Sequence, residues 1–471
     1  MVNASAAGER APTRPWLILG ALGAGFFLAS LDSTVVAVGT PTLQSELGAT
    51  VGGAVWVTTA YLLAYVAPML VAGRLGERWG KRRVYLSGLV VFTVASLACG
   101  LAPSLETLIG ARVVQGVGAA LMAPQALAIV TDTIPARRLG LALGIWSTTA
   151  GVATVIGPLV GGMVVAGPGW RWLFLINVPI GIVVLIAALV VVPASRRGAG
   201  RVAIAPAVMS TVAIILIVLG LQELATSAWA WVVLAAGCLL IVVFLLGERD
   251  GGMLVPAAVI RAPGYLPGIA GIAAAGLTIA AVPLVLMIWA QEVAGIGPLD
   301  AALLIVPLGV VSAAVAPFSG MLIDRRGHRP VAIGALGLGG LSILLLAVAT
   351  VSEPAIPIVL VATVLFGVSN SAVWASLSVA SFGSLPPTLT AAGSAVYNTV
   401  RQLGAAIGSA GVGLLLPWQL AVRSDGTATP TSGYAAAAAT VLAALALAPI
   451  AAGVYFTAAA PRGARREKGL A

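Results

Sequence analysis

Long apolar runs alternate with short polar segments over nearly all of the 471-residue chain. A helix rises 1.5 Å per residue, so about 20 mostly apolar residues cross the hydrocarbon core of a bilayer. Fourteen stretches have that character: 16–38, 53–73, 84–102, 106–130, 140–165, 172–192, 202–222, 228–247, 266–290, 300–322, 331–350, 356–378, 391–416 and 434–457. None alternates strictly between apolar and polar positions, as the strands of a membrane barrel do. The pattern therefore predicts an all-α polytopic membrane protein with fourteen transmembrane helices. Only the links 248–265 and 417–433 are long, and neither could hold a soluble domain.

Composition agrees. The chain is 60% hydrophobic and 8% charged, against about 25% charged in soluble domains. The net charge of +10 would point to nucleic acid in a soluble protein, so its location matters. With the N-terminus placed inside and the stretches alternating, all but four of the 25 Lys and Arg fall in inner segments. The exceptions are Arg171 and Arg423 outside, and Arg112 and Arg401 within stretches. Outer segments carry Glu46, Glu106, Glu223, Glu292, Asp300 and Glu353. This is the positive-inside pattern, with both termini cytoplasmic. The charge is then topology, and no nucleic acid is needed to explain it.

The densest basic segment is 73–83, GRLGERWGKRR, between the second and third stretches. Such a segment cannot enter hydrocarbon, so it forms a tight turn in water. Topology explains its cations, though not Gly73, Glu77 or Gly80. Gly73 permits close backbone approach and Gly80 a sharp reversal. Glu77 can pair with cations or accept bonds from the amides at a helix N-terminus. The segment 320–329, GMLIDRRGHR, repeats the pattern with Asp324 and Arg325 after the tenth stretch. Two copies eight stretches apart predict two homologous six-helix bundles, 1–200 and 251–460. Two helices are inserted between them at 201–250, and a basic tail follows at 461–471. A site between the halves is the expected transporter plan. Gly73, Glu77, Arg78, Gly80, Arg82, Asp324 and Arg325 are expected to form a cytoplasmic gate, with Glu77 and Arg78 as its moving contacts.

Three ionisable residues lie well inside apolar stretches: Asp32, Arg112 and Arg401. Such groups are expensive in hydrocarbon and usually face a cavity. Asp32 is either a structural cap bonding Ser33 or Thr34, or a carboxylate that alternately holds a proton and a cation. Arg112 either snorkels to the outer interface or lies at the depth of Asp32. Gln115 and Gly116 follow Arg112 on the same helix face. Arg401 shares a stripe with Tyr397, Gly404 and Gly408, with Asn398 beside it, and is either a lock between helices or part of a substrate path. Trp56, Tyr61, Trp146, Trp289, Trp374 and Tyr397 are candidates for an aromatic pocket or, one by one, for interface anchors. Gly157 and Gly161 make a small-xxx-small pair beside Pro158, which predicts close packing and a bend.

Cys99 and Cys238 lie in apolar runs, and His328 is the single histidine. No metal spacing, catalytic triad or phosphate loop of the G-x-x-x-x-G-K-[ST] type occurs. Neither an enzyme, a bound cofactor nor ATP drive is expected.

The segment 73–83 resembles the cytoplasmic loop motif of the major facilitator superfamily, G-x-L-x-D-R-x-G-R-R, with Glu77 in place of the usual Asp. LDSTVVAVGTP (31–41) is similar to the helix-1 motif of its fourteen-helix drug:proton antiporters, with Ala37 where Asn is usual. RVVQGVGAA (112–120) resembles the helix-4 motif linked to proton coupling. GVATVIGPLVGG (151–162), with Gly151, Gly157, Pro158, Gly161 and Gly162, resembles the antiporter motif of helix 5. GWRWLFLINVPIG (169–181) and NTVRQLGAAIG (398–408) continue the match, and IPARRLG departs from it. The resemblance implies a proton-coupled antiporter that exports hydrophobic or cationic drugs from a bacterium by alternating access, driven by the proton gradient. Asp32 and Arg112 would then couple protons. Gln115, Trp56, Tyr61, Trp146, Tyr397, Asn398 and Arg401 would line the path. The expected location is the cytoplasmic membrane and the expected unit a monomer in lipid. An importer or facilitator of a small metabolite shares the fold and is the alternative.

Overall fold

The computed structural model describes residues 15–47, 51–195, 204–224, 227–247, 255–296, 298–352, 355–423 and 430–458. All regular structure among them is helical. The first part contains α1 (Pro15–Leu47), α2 (Val51–Val66), α3 (Met69–Trp79), α4 (Lys81–Gly100), α5 (Leu105–Thr133), α6 (Leu139–Ala166), α7 (Trp172–Leu175) and α8 (Asn177–Val191). Then come α9 (Ile204–Glu223) and α10 (Trp229–Gly247), followed by α11 (Ala257–Arg261), α12 (Tyr265–Glu292), α13 (Pro298–Leu303), α14 (Val306–Arg326), α15 (His328–Ala349), α16 (Ala355–Phe382), α17 (Thr390–Arg423) and α18 (Pro430–Ala458).

Each of the fourteen apolar stretches falls on a helix or on a broken pair. Ten described helices are long and apolar enough to cross a bilayer, or eleven if the bent α2–α3 pair counts as one span. Three stretches expected as single helices are interrupted, the second after Val66, the sixth at Ile176 and the tenth after Leu303. Each break falls within four residues before a proline: Pro68, Pro179 and Pro307. A proline has no N–H to bond the carbonyl four residues back, and its ring presses on that carbonyl. At Pro68 the helix axis turns by 44°.

Other boundaries have local causes. Ser104 starts α5 with a capping box. Its hydroxyl accepts from the Thr107 amide, and the Thr107 hydroxyl accepts from the Ser104 amide. The two basic turns are built alike. Gly80 joins α3 to α4 at φ 92°, and Gly327 joins α14 to α15 at φ 83°. A side chain is strained at those angles, so glycine sets both reversals.

Packing falls into two sets. In one, α5 lies against α2 and α4, and α1 against α6 and α8. In the other, α12 lies against α16, α17 and α18, and α15 against α16 and α18. The pair α9–α10 packs mainly on itself, with small contacts from α9 to α2, α3 and α17. The two sets meet where α6 packs on α14 and α16, and where α3 and α5 pack on α17. The boundaries at 200, 250 and 460 fall on residues outside the described ones, as does the basic tail.

Candidate functional site

Two polar assemblies stand out in this apolar molecule. One is a closed network inside the first set of helices. The other joins the two sets at the end that bears the basic turns, called here the basic end.

The network centres on Asp32 of α1, fully buried together with Arg112 and Gln115 of α5. Arg112 and Gln115 are one helical turn apart and therefore share a face. Arg112 Nη1 donates to Asp32 Oδ2 in a buried ion pair, and also to Gln115 Oε1 at 2.7 Å. Gln115 Nε2 donates to Asp32 Oδ1 at 3.0 Å. Asn177, from the first turn of α8, donates to the same oxygen at 2.9 Å. Ser96 of α4 accepts from both amides at 3.1 Å and donates to the Phe174 carbonyl at 2.9 Å. Arg112 Nε donates to the Val57 carbonyl of α2 at 3.0 Å. The guanidinium also lies over the Tyr61 ring, 4.1 Å from its centre. Arg112 Nη2 is buried without a hydrogen bond.

This arrangement resolves two open readings. Arg112 does not snorkel, and Asp32 does not cap its own helix end. Each satisfies the other, as a buried charge must be satisfied. Close helix approach makes it possible. A methyl group at Gly116 would lie 2.5 Å from the Tyr61 carbonyl, so only glycine lets α2 and α5 come this near. Asn177 and Ser96 were not singled out in the sequence. They stand alone in apolar surroundings, and the polarity of one residue in a long apolar run is their only signal.

At the basic end, Glu77 Oε1 accepts from the Ala392 amide in the first turn of α17 at 3.0 Å, while Glu77 Oε2 pairs with Arg74. The second copy does the same in the other direction. Asp324 Oδ1 accepts from the Gly140 amide at 2.9 Å and Oδ2 from the Leu141 amide at 3.1 Å, both in the first turn of α6. In each case a carboxylate from one set meets the positive end of a helix of the other set. Glycines allow the contact. A methyl at Gly73 would lie 2.6 Å from Ala395 Cβ, and one at Gly320 would lie 2.5 Å from the Gly140 carbonyl.

Lys81 adds a contact that the sequence reading did not separate from its neighbours. Its ammonium pairs with Asp132 at the end of α5. It also donates to the Pro387 carbonyl at 2.7 Å and to the Thr390 hydroxyl across the boundary. By contrast Arg78 and Arg325 are exposed, with no hydrogen bond or ion pair among the described residues. Arg82 is tied within its own set, to the Leu189 carbonyl at 2.6 Å and the Ser195 hydroxyl at 3.1 Å. Of the expected pair Glu77 and Arg78, Glu77 alone makes a contact across the boundary among the described residues in this state. The joint uses Glu77, Asp324 and Lys81.

The residues expected to line a path are dispersed. Trp146 stacks on Phe26 with ring centres 4.7 Å apart, joining α1 to α6. Trp56 is exposed. Trp289 is buried and donates to the Thr350 carbonyl at 3.1 Å, so it is a packing residue. Tyr397 shares a 2.7 Å hydrogen bond with Ser378, and Asn398 bonds the Ser394 carbonyl of its own helix at 2.9 Å. Arg401 is half-buried, with Cζ 5.9 Å from the centre of the Trp374 ring. Gly157 and Gly161 are buried on α6, the helix that packs across the boundary. The surroundings of Gly151, Pro158 and Gly162 lie outside the described residues.

A long all-helical chain with paired acid-to-helix joints and a buried carboxylate invites comparison with known transporters. The family model of the Major Facilitator Superfamily matches residues 22–409. The chain belongs to the Major Facilitator Superfamily. The chain is 39% identical to an MFS-type transporter of Mycobacterium tuberculosis over 93% of its own length and 76% of the relative's. It is 31% identical to the tetracenomycin C resistance and export protein of Streptomyces glaucescens, over 86% of its length and 76% of the relative's. A multidrug resistance protein, MdtD, of Salmonella heidelberg is 29% identical over 83% and 84% of the two chains. Among solved structures, a proton:xylose symporter superposes with a TM-score of 0.69 at 14% identity, over 96% and 97% of the chains. That likeness establishes the shared fold. The chain is thus a polytopic membrane transporter of small substrates.

Proposed function

We propose that this chain is a proton-coupled antiporter that exports hydrophobic, drug-like compounds from a bacterial cell across the cytoplasmic membrane. The observation that carries the reading is the buried pair of Asp32 and Arg112. A charge pair this deep in an apolar bundle is expensive to keep, and packing alone gives no reason for it. A carboxylate that gains and loses a proton gives one. Protonation removes the charge that holds Arg112, Gln115 and Asn177 together, so the geometry linking α1, α5 and α8 changes with proton occupancy. That difference between states is what a proton must supply to shift a conformational equilibrium.

Alternating access follows from the joints. Placing the basic end in the cytoplasm, as the positive-inside pattern expects, puts both termini inside and makes this a state closed on the cytoplasmic side. Rocking of the two sets would break the bonds of Glu77, Asp324 and Lys81 and open that side. The names of the relatives, multidrug resistance and tetracenomycin C export, support drug export as the direction. The antiporter-like stretch 151–162 on α6 supports it too. A single chain contains both sets, so a monomer is the working unit, and the proton gradient replaces any cofactor.

The test uses inside-out vesicles with an acid interior. Vesicles containing the transporter should accumulate a hydrophobic dye and release protons, and a protonophore should abolish both. Accumulation that survives collapse of the gradient would rule out antiport. Accumulation only in right-side-out vesicles would favour the importer reading.

A further inference from the structure

We propose that the transported compound is an aromatic organic anion, held through its negative group by Arg401. This rests on the reading of the chain as an exporter and changes the charge expected of its cargo.

Charge inside the membrane-spanning stretches is sparse and unbalanced. Their acids are Asp32, Glu106 and Asp300, and the last two are the first residues of their stretches. Their cations are Arg112 and Arg401. Asp32 is fully buried, and both its oxygens are occupied, Oδ2 by Arg112 and Oδ1 by Gln115 and Asn177. It offers nothing to a cationic ligand in this state. Arg112 is equally buried and consumed by that pair.

Arg401 is different. It is half-buried, and no carboxylate pairs with it among the described residues. It lies nine residues beyond Ala392 on α17, about 14 Å along the helix from the closed basic end. Its surroundings are organised. Arg401 Cζ lies over the Trp374 ring of α16, 5.9 Å from its centre. The Trp374 indole donates to Asn370 Oδ1 at 2.7 Å, and Asn370 in turn donates to Ser312 of α14 at 3.0 Å, which fixes the ring's tilt. α2 of the opposite set touches α17, and its buried Tyr65 lies within reach of the Arg401 charge. A cation with no carboxylate partner among the described residues, an indole stacked on it and a phenol from the other half make a site that both sets share.

A half-buried guanidinium with no carboxylate partner among the described residues attracts an anion and repels a cation. Its planar fork suits carboxylates and other two-oxygen groups. An aromatic ring can pack edge-on to that half-buried indole or against the face away from Arg401. The ligand class that meets all three features is a flat aromatic acid, ionised as a carboxylate, phenolate or enolate. Because Tyr65 comes from the other half, such a ligand would bridge the two sets and feel their relative motion.

The experiment is fluorescence polarisation on the purified full-length chain in detergent. It compares two dyes that share a xanthene ring system, fluorescein (anionic) and rhodamine 6G (cationic). Fluorescein should bind the wild-type chain at least about tenfold more tightly, a comparison that needs no variant. Arg401→Ala should weaken fluorescein about tenfold or more while leaving rhodamine unchanged or improved, and Arg401→Lys should fall between. Wild-type preference for rhodamine, binding of neither dye, or equal fluorescein binding to Arg401→Ala would overturn the proposal. Displacement of fluorescein by phosphatidylglycerol would mark a lipid site and overturn it too. Gradient-driven vesicle uptake separates this from the export reading. Driven uptake of rhodamine alone leaves export standing and removes the anion site. Arg401-dependent fluorescein binding with no driven uptake does the reverse.

Discussion

Glu77 and Ala392 lie 315 positions apart, yet a 3.0 Å hydrogen bond from the Ala392 amide to the Glu77 carboxylate joins them. Asp324 repeats the relation with Gly140 and Leu141. The two joints are related by the sequence repeat. Each sets an acid at the end of one helix against the start of a helix in the other set. Carboxylates at helix N-termini are worth about 0.3–1 kcal/mol when exposed and up to about 2 when partly buried. Such energies suit a joint that opens in each cycle of the proposed alternating access.

Glu77→Gln keeps a hydrogen-bond acceptor and loses the charge. It should weaken the closed basic end by about 1 kcal/mol, a roughly fivefold change in population. Asp324→Asn should do the same, and the double variant should be close to additive because the joints share no residue. Labels attached in pairs across the basic end and read by electron–electron spin distance would show the open population rising in this order. Unchanged distance distributions in both single variants would show that the joints do not set the equilibrium.

Gly73→Val tests the same surface by shape. Its Cβ would meet the Ala395 methyl and the Ala391 carbonyl at 2.6 and 2.8 Å. Backbone cannot yield as a flexible side chain does, so the two helices must part. The variant should remain folded, lose transport, and expose cysteines placed at the basic end to water-soluble maleimides. A variant that transports at the wild-type rate would mean the helices separate freely at that point.

Asp32 and Arg112 should behave as one unit. Removing one partner of a buried pair costs about 3–5 kcal/mol because the other charge is left uncompensated. Asp32→Asn and Arg112→Gln should each lower the unfolding midpoint of the detergent-solubilised protein. The double variant should be more stable than their sum predicts, giving a coupling of about 0.5–3 kcal/mol in a double-mutant cycle. Additive losses would show that the contact carries little energy.

Much of this architecture could be read from the chain, and the misses have physical causes. The apolar stretches all fall on helices because a bilayer leaves few alternatives for a backbone that must bond itself. The breaks near Pro68, Pro179 and Pro307 could not be told from the prolines that α5, α12, α14 and α18 carry inside them, namely Pro124, Pro283, Pro317 and Pro449. Neighbouring helices decide which freed carbonyls find other partners. Glu77 and Asp324 were legible because a repeated acid in a basic turn calls for a purpose. Lys81 was not, since five cations in one turn look alike until the fold turns one of them inward. Depth along the helix left Arg112 either snorkelling or level with Asp32, and only the packing of α1 against α5 decides between them. Asn177 was hidden because its partners, Asp32 and Ser96, come from α1 and α4, far off in sequence, and Ser96 because it is used only when α5 and α8 bring Gln115 and Asn177 to it.

Asn177 should therefore matter in proportion to what it donates. Asn177→Leu preserves approximate volume and removes the bonds to Asp32 and Ser96. The buried acceptors left behind should cost about 1–3 kcal/mol, seen as a lower unfolding midpoint than Asn177→Gln gives. Equal midpoints for Leu, Gln and wild type would show that Asp32 does not depend on this donor.

The central claim is that Asp32 couples protons to transport and is not simply a structural residue. The direct measurement compares two assays of Asp32→Asn in proteoliposomes, restricted to protein that elutes as a single monodisperse species. One assay is counterflow, in which labelled substrate exchanges with unlabelled substrate without any gradient. The other is uphill accumulation driven by an imposed proton gradient. The account predicts that counterflow persists while driven accumulation and substrate-linked proton release disappear. Loss of both to the same degree, or retention of driven accumulation, would contradict it.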